Sequence, residues 1–150
     1  MSLDTLLLAI GSDDEERTDA LIDTVIELAE AADASVIVGH VFTPEDFREI
    51  RSDLNMTGSD ATADEVARHH VAAREISSSL AEAGIDHEIR GREGEGERGE
   101  EIVELAKDVA ADRVFVGGRK RSPTGKALFG STAQAVMLNA PCPVTFVRDQ

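Results

Sequence analysis

"DRVFVGGRKRSPTGKALFGSTAQAVMLNAPCPVTFVR", residues 112–148, decides how this chain is read. An apolar run ends in two glycines, and a basic, glycine-rich segment follows. Gly130-Ser131-Thr132 then opens a helix to about Asn139, and "CPVTFVR" (142–148) closes the chain as a second apolar run. That is strand, loop, helix, strand. Short apolar runs bounded by turn residues read as strands buried on both faces of a parallel sheet.

The same alternation runs upstream. "TLLLAIG" (5–11) is a buried strand ending at glycine. Ser12 and Glu15 then have the spacing of a capping box, and Leu21, Val25, Leu28 and Ala32 form a helical stripe. "ASVIVGHVF" (34–42) is the second strand. Residues 43–62 show no clean period and read as a long loop with at most a short helical turn; such loops are usually functional or mobile. Thr62 and Glu65 repeat the capping box, predicting a helix through about Ala83 with Val66, Ala73, Ile76 and Leu80 inward and Gly84 as its stop. "IDHEIRGRE" (85–93) alternates like a strand near a sheet edge. Residues 93–101, "EGEGERGEE", read as a connector into a helix with Ile102, Ala106 and Val109 on one face. Strands alternating with helices predict one doubly wound α/β domain over residues 1–150, with ligands held outside the carboxyl ends of the strands.

Composition narrows the partners. Thirty acids against fifteen bases leave a net charge of −15, which repels nucleic acid and anionic membranes. Aromatic residues make up 3% with no Trp or Tyr, so no stacking platform for single strands is expected. Twelve of the fifteen bases are Arg and three are Lys. Acid excess with few lysines fits a cytoplasm of high salt, where the Debye length shrinks to about 3 Å at 1 M; the plainer reading is solubility alone. Cys142 is the only cysteine, so a reducing compartment is expected and no internal disulfide. The apolar run Leu6 to Ile10 is too short for a signal peptide or a membrane span. The expected location is the cytoplasm.

The 117–131 loop is not a Walker loop. Gly125-Lys126 is followed by Ala127, and Lys120 stands where the pattern needs its first glycine. A different anion cradle remains. Gly117 and Gly118 allow close approach of a ligand to the backbone, Gly130-Ser131-Thr132 presents a helix N-terminus, and Arg119, Lys120, Arg121 and Lys126 supply cations. Each part also has a structural reading: Ser131 with Gln134 fits a capping box, Pro123-Thr124-Gly125 is ordinary turn chemistry, and the bases have acids to pair with. Adjacent His69 and His70 on one helix point apart, and His40 and His87 are isolated in sequence, which speaks against a metal site. Cys142 between two prolines reads as packing, and no Ser, His and acid triad emerges from spacing.

On these residues the chain resembles the universal stress protein family over essentially its whole length. The ATP-binding members carry Gly, two residues, Gly, nine residues, then Gly and Ser or Thr. Here the pattern falls on Gly117, Lys120, Gly130 and Ser131. "ADRVFVGGR" and "NAPCPVTFV" are similar to the family's last two strands, and "LLLAIGS" and "SVIVGHVF" to its first two. The resemblance implies a Rossmann-like five-stranded parallel sheet of order 3-2-1-4-5 with helices on both faces. It also implies a site for ATP or another adenine nucleotide, with magnesium. Val41 would offer its backbone to the adenine near Val116 and Gly117. Gly11, Ser12 and Asp13 would lie near the adenosine, and Lys120, Gly130, Ser131 and Thr132 near the phosphates. Two positions depart from the pattern: Lys120 replaces the second glycine, and Gly11 stands where the family has an Asp, with Asp13 two residues on. The resemblance further implies a homodimer through strand 142–148. Three functions fit: a nucleotide-binding stress-response protein, a nucleotide-free dimeric interaction protein of the same family, and a slow nucleotide hydrolase, for which no base or metal carboxylate is evident.

Overall fold

The central strand explains the rest. In the computed structural model, β1 (Thr5–Ile10) buries Leu6, Leu7 and Leu8 completely. Leu6, Leu8 and Ile10 enter one apolar cluster, and Leu7 and Ala9 enter another on the opposite face. A strand of period two that is apolar at every position needs cover on both sides. The structure describes residues 3–10, 18–53, 62–94, 98–118 and 131–148.

Around β1 stand β2 (Ser35–Phe42), β3 (His87–Glu93), β4 (Arg113–Gly118) and β5 (Val144–Arg148). All pairs are parallel, in the order β3-β2-β1-β4-β5. This is the expected architecture. One face is covered by α1 (Thr18–Ala32) and α4 (Val71–Glu82), the other by α5 (Arg98–Asp108) and α6 (Ser131–Asn139). The α1 stripe is turned slightly from its expected line: Leu21, Ile22, Val25 and Ala29 are buried, while Leu28 and Ala32 are half-buried. Among the described residues no helix is long and apolar enough to cross a membrane.

Three segments differ from the sequence reading. Residues 43–62 hold a ten-residue helix, α2 (Pro44–Asp53). Proline suits the first helical turn, where its missing N–H costs nothing, and Phe47 docks on Phe42 with ring centres 5.8 Å apart. The expected long helix from Thr62 to about Ala83 is two. Thr62 does cap α3 (Ala63–Arg68), accepting from the Glu65 N–H at 3.2 Å. The chain then breaks at His69 and His70, and His70 is extended at φ −71, ψ 137. The break has a packing cause. Val66 and Ala67 join Phe42 and Phe47 in a third cluster, while Ala73, Ile76 and Leu80 belong to the first, and one straight helix does not reach both.

The third difference is the 93–101 connector, whose last four residues are the first turn of α5. Gly99 is there for closeness, not for a turn: a methyl group on it would stand 2.5 Å from Cβ of Ala135 and 3.1 Å from the Thr132 carbonyl oxygen.

At the amino end of the sheet, Asp112 stitches β1 to β4. Its Oδ2 accepts from the backbone N–H of Asp4 and Thr5 at 2.9 and 3.0 Å, and these bonds hold its carboxyl below the usual range. Cys142 is half-buried against the second cluster, and burial raises its thiol pKa, in keeping with a packing role.

Candidate functional site

The sheet parts at its carboxyl end. β1 and β4 pair over Leu6↔Arg113, Leu7↔Val114 and Leu8↔Phe115, and there the ladder stops. Beyond that point β1 stays with β2 as far as Ile10↔His40, and β4 stays with β5 as far as Gly118↔Arg148. Since β2 and β3 lie to one side of β1 and β4 and β5 to the other, this is the switch point at which open α/β sheets take ligands.

Three elements meet there. Val41 and Val116, both buried, share a cluster with Ala133 in the first turn of α6. In β2 the odd residues turn their backbone groups toward β1, as Ser35 shows by donating to the Asp4 carbonyl at 2.9 Å. The Val41 carbonyl is therefore directed to the β1 side at a level past the last pair, Ile10↔His40. Half-buried Gly117 follows Val116 at the end of β4, and Ser131 and half-buried Thr132 open α6. Five of the ten predicted site residues thus come to one end of the sheet: Val41, Val116, Gly117, Ser131 and Thr132. Gly11, Ser12, Asp13, Lys120 and Gly130 lie outside the described residues.

The structure adds a residue that the sequence reading passed over. Gly99 packs on Thr132, so the N-termini of α5 and α6 stand side by side, and both favour an anion. Arg98, the first residue of α5, is half-buried beside them. Its charge also reaches His40, the neighbour of Val41. Arg98 thus sits at the start of α5, next to the glycine that meets Thr132 and within charge range of His40. The available signal was an arginine directly before a helical stripe, on a segment leaving a carboxyl end.

His40 backs the site from the opposite face of β2. It is 1% exposed and the only buried polar or charged side chain among the described residues. Its ring stacks on Phe42 at 4.1 Å, and His70 meets it edge-on at 4.2 Å. Burial, then the charges of His70 and Arg98, lower its pKa to about 3, so the ring is neutral throughout the physiological range. The break between α3 and α4 thus brings together two histidines that sequence spacing left apart. Among the described residues no group of three or more His, Cys, Asp or Glu is placed to hold a metal ion.

Comparison with known proteins agrees with this fold. The model of the universal stress protein family matches residues 3–148. A universal stress protein of Mycolicibacterium smegmatis is 32% identical over 95 residues, which cover 63% of this chain and 72% of that one. The fold is shared with the universal stress protein of Archaeoglobus fulgidus solved in complex with dAMP (TM-score 0.59, 22% identity, 98% of this chain and 99% of that one). It is also shared with a universal stress family protein of Arabidopsis thaliana solved with AMP bound (TM-score 0.60, 17% identity, 98% and 92%). This chain belongs to the universal stress protein family.

Proposed function

We propose that this chain is a stress-response protein that takes ATP or a related adenine nucleotide, with magnesium, at the carboxyl ends of β1, β2 and β4. The carrying observation is the end of the β1–β4 ladder at Leu8↔Phe115, beside which Val41, Val116 and the first turn of α6 converge. Two relatives of the same fold solved with dAMP and AMP support an adenine nucleotide as the ligand class. The Val41 carbonyl would meet the base, and the α6 N-terminus with Ser131 and Thr132 would meet the phosphates.

The working state in this reading is a cytoplasmic homodimer joined through β5. The outer edge of β3 is covered by α3, whereas β5 forms the other edge of the sheet. Val114 donates to the Pro143 carbonyl and pairs with Val144, so Val144 and Phe146 turn their backbone groups away from β4. That outer edge is where a second β5 would pair.

The nucleotide reading is tested by purifying the chain in high potassium chloride, extracting with acid, and assaying released nucleotide. ATP is then titrated with and without magnesium while the melting temperature is followed. Ligand at a hundred times its Kd stabilises by about 2.7 kcal/mol. Released adenine nucleotide or a rising melting temperature is the expected result. No nucleotide in the extract and no shift at millimolar ATP overturn the reading in favour of the nucleotide-free interaction protein, which the Lys120 and Gly11 departures favour.

A further inference from the structure

At the other end of the sheet, away from the crevice, Ser77 of α4 meets His87, the first residue of β3. Ser77 Oγ lies 2.7 Å from His87 Nε2, and His87 Nδ1 lies 2.9 Å from the carbonyl oxygen of Ile85. A carbonyl only accepts, so Nδ1 carries the proton. In the neutral ring Nε2 is then an acceptor, and the hydrogen bond runs from the serine hydroxyl to the imidazole. This is the tautomer and direction that a serine needs to be activated by a histidine, with a backbone carbonyl where a triad places its carboxylate. Sequence spacing offered no triad because the orienting group is a main-chain atom, and because nine residues of helix end and turn separate the two side chains.

The setting suits reaction. Both residues are half-buried, at the edge of the packed core and not enclosed within it. Val36 donates to the Asp86 carbonyl and pairs with His87, so His87 turns its own backbone groups toward the outer edge of the sheet. The ring is held from two sides, by the helix and by its own turn, and does not have to be recruited. Neither residue belongs to the nucleotide crevice.

We propose that Ser77 and His87 form a nucleophilic pair and that Ser77 is an acylation site for activated acyl donors, of the acyl phosphate or activated ester class. Ser77 Oγ attacks the acyl carbon and forms an ester, while the bond from that carbon to the leaving oxygen breaks. The serine proton passes to His87 Nε2 and from there to the leaving oxygen. No electrons are gained or lost. The carbonyl of Ile85 stabilises an imidazolium less than a carboxylate does, so the reaction is stoichiometric modification of the protein.

The neighbouring serines make the test internal. Ser78 is exposed and Ser79 half-buried on the same turn of α4, so general serine reactivity labels Ser78 at least as well as Ser77. The native chain is incubated with 4-nitrophenyl acetate, release of 4-nitrophenolate is followed, and the acetyl group is located by peptide mass spectrometry. The expected result is one acetyl group per chain on Ser77, absent in Ser77→Ala and formed about a hundredfold more slowly in His87→Gln. Acetylation spread over Ser78 and Ser79, none on Ser77, or an unchanged rate at Ser77 in His87→Gln overturns the proposal. The position of the acetyl group on the unsubstituted chain decides between Ser77 and its neighbours even where a variant folds poorly.

Discussion

The backbone N–H of Gly91 donates to Oδ1 of Asp64 at 2.7 Å. Gly91 is one of the residues of β3 whose backbone faces away from β2, so this bond closes an edge of the sheet with a side chain of α3. A methyl group on Gly91 would overlap the carbonyl of Ala63, which explains why the helix comes this close only to a glycine. An open edge is a template for another strand, and α3 removes one of the two that the sheet has. Asp64→Ala is expected to lower stability by about 1–2 kcal/mol, by leaving a part-buried donor without its acceptor. Gly91→Ala is expected to cost more, because backbone must move. Urea denaturation of the two variants beside the parent chain measures both.

The other edge carries the proposed dimer. Since the Val144 N–H points away from β4, proline at this position leaves the β4–β5 ladder intact and removes one donor from the outer edge. Val144→Pro is expected to keep the circular dichroism spectrum and to sediment as a monomer under conditions where the parent sediments as a dimer. A parent chain that is monomeric at every concentration removes the dimer from the proposed function.

Arg98 supplies a prediction about ligand class. A guanidinium attracts phosphate and is indifferent to an uncharged nucleoside, and Arg98 opens α5, whose N-terminus stands beside that of α6. Arg98→Gln is expected to weaken ATP binding by about tenfold, the size of one charged hydrogen bond of roughly 1.4 kcal/mol. Adenosine binding is expected to stay the same. Isothermal titration of both ligands separates the contributions, and equal losses for both would assign Arg98 to packing.

His40 makes a prediction about pH. Its ring takes no proton in the native state until about pH 3, while the unfolded chain binds one below pH 6.5. The native state therefore has the full benefit of this group above pH 6.5 and loses it as pH falls toward 3. Over that window His40 contributes a loss of about 1.4 kcal/mol for each pH unit. The stability of the parent relative to His40→Leu, measured from pH 7 to pH 4, is expected to fall toward acid by that slope. Parallel curves would mean that the ring is protonated in place.

Much of the fold was legible because it rests on local pattern. Leu6-Leu7-Leu8 in one apolar run requires burial on two faces, and four such runs with one alternating strand, interleaved with helical stripes, leave a doubly wound parallel sheet. The end of β4 at Gly117 and the start of α6 pointed to the same end of the sheet, since strand and helix are consecutive along the chain. α2 was passed over because its apolar positions, Phe47 and Ile50, are few and are set among charged residues in a segment that reads as polar.

What the sequence by itself determined is thus the order of the strands, their apolar faces and the end of the sheet at which open α/β folds take ligands. Tertiary structure decided what depends on contacts between residues far apart in the chain. It broke the 62–83 helix at His70, because α3 packs on β3 while α4 packs on the first core. It placed Arg98 beside the α6 N-terminus by letting Gly99 touch Thr132, and it turned Ser77 to His87 across the end of a helix. Periodicity records which way a residue faces along its own element. The neighbour it meets there is set by the packing of elements, which no local pattern encodes.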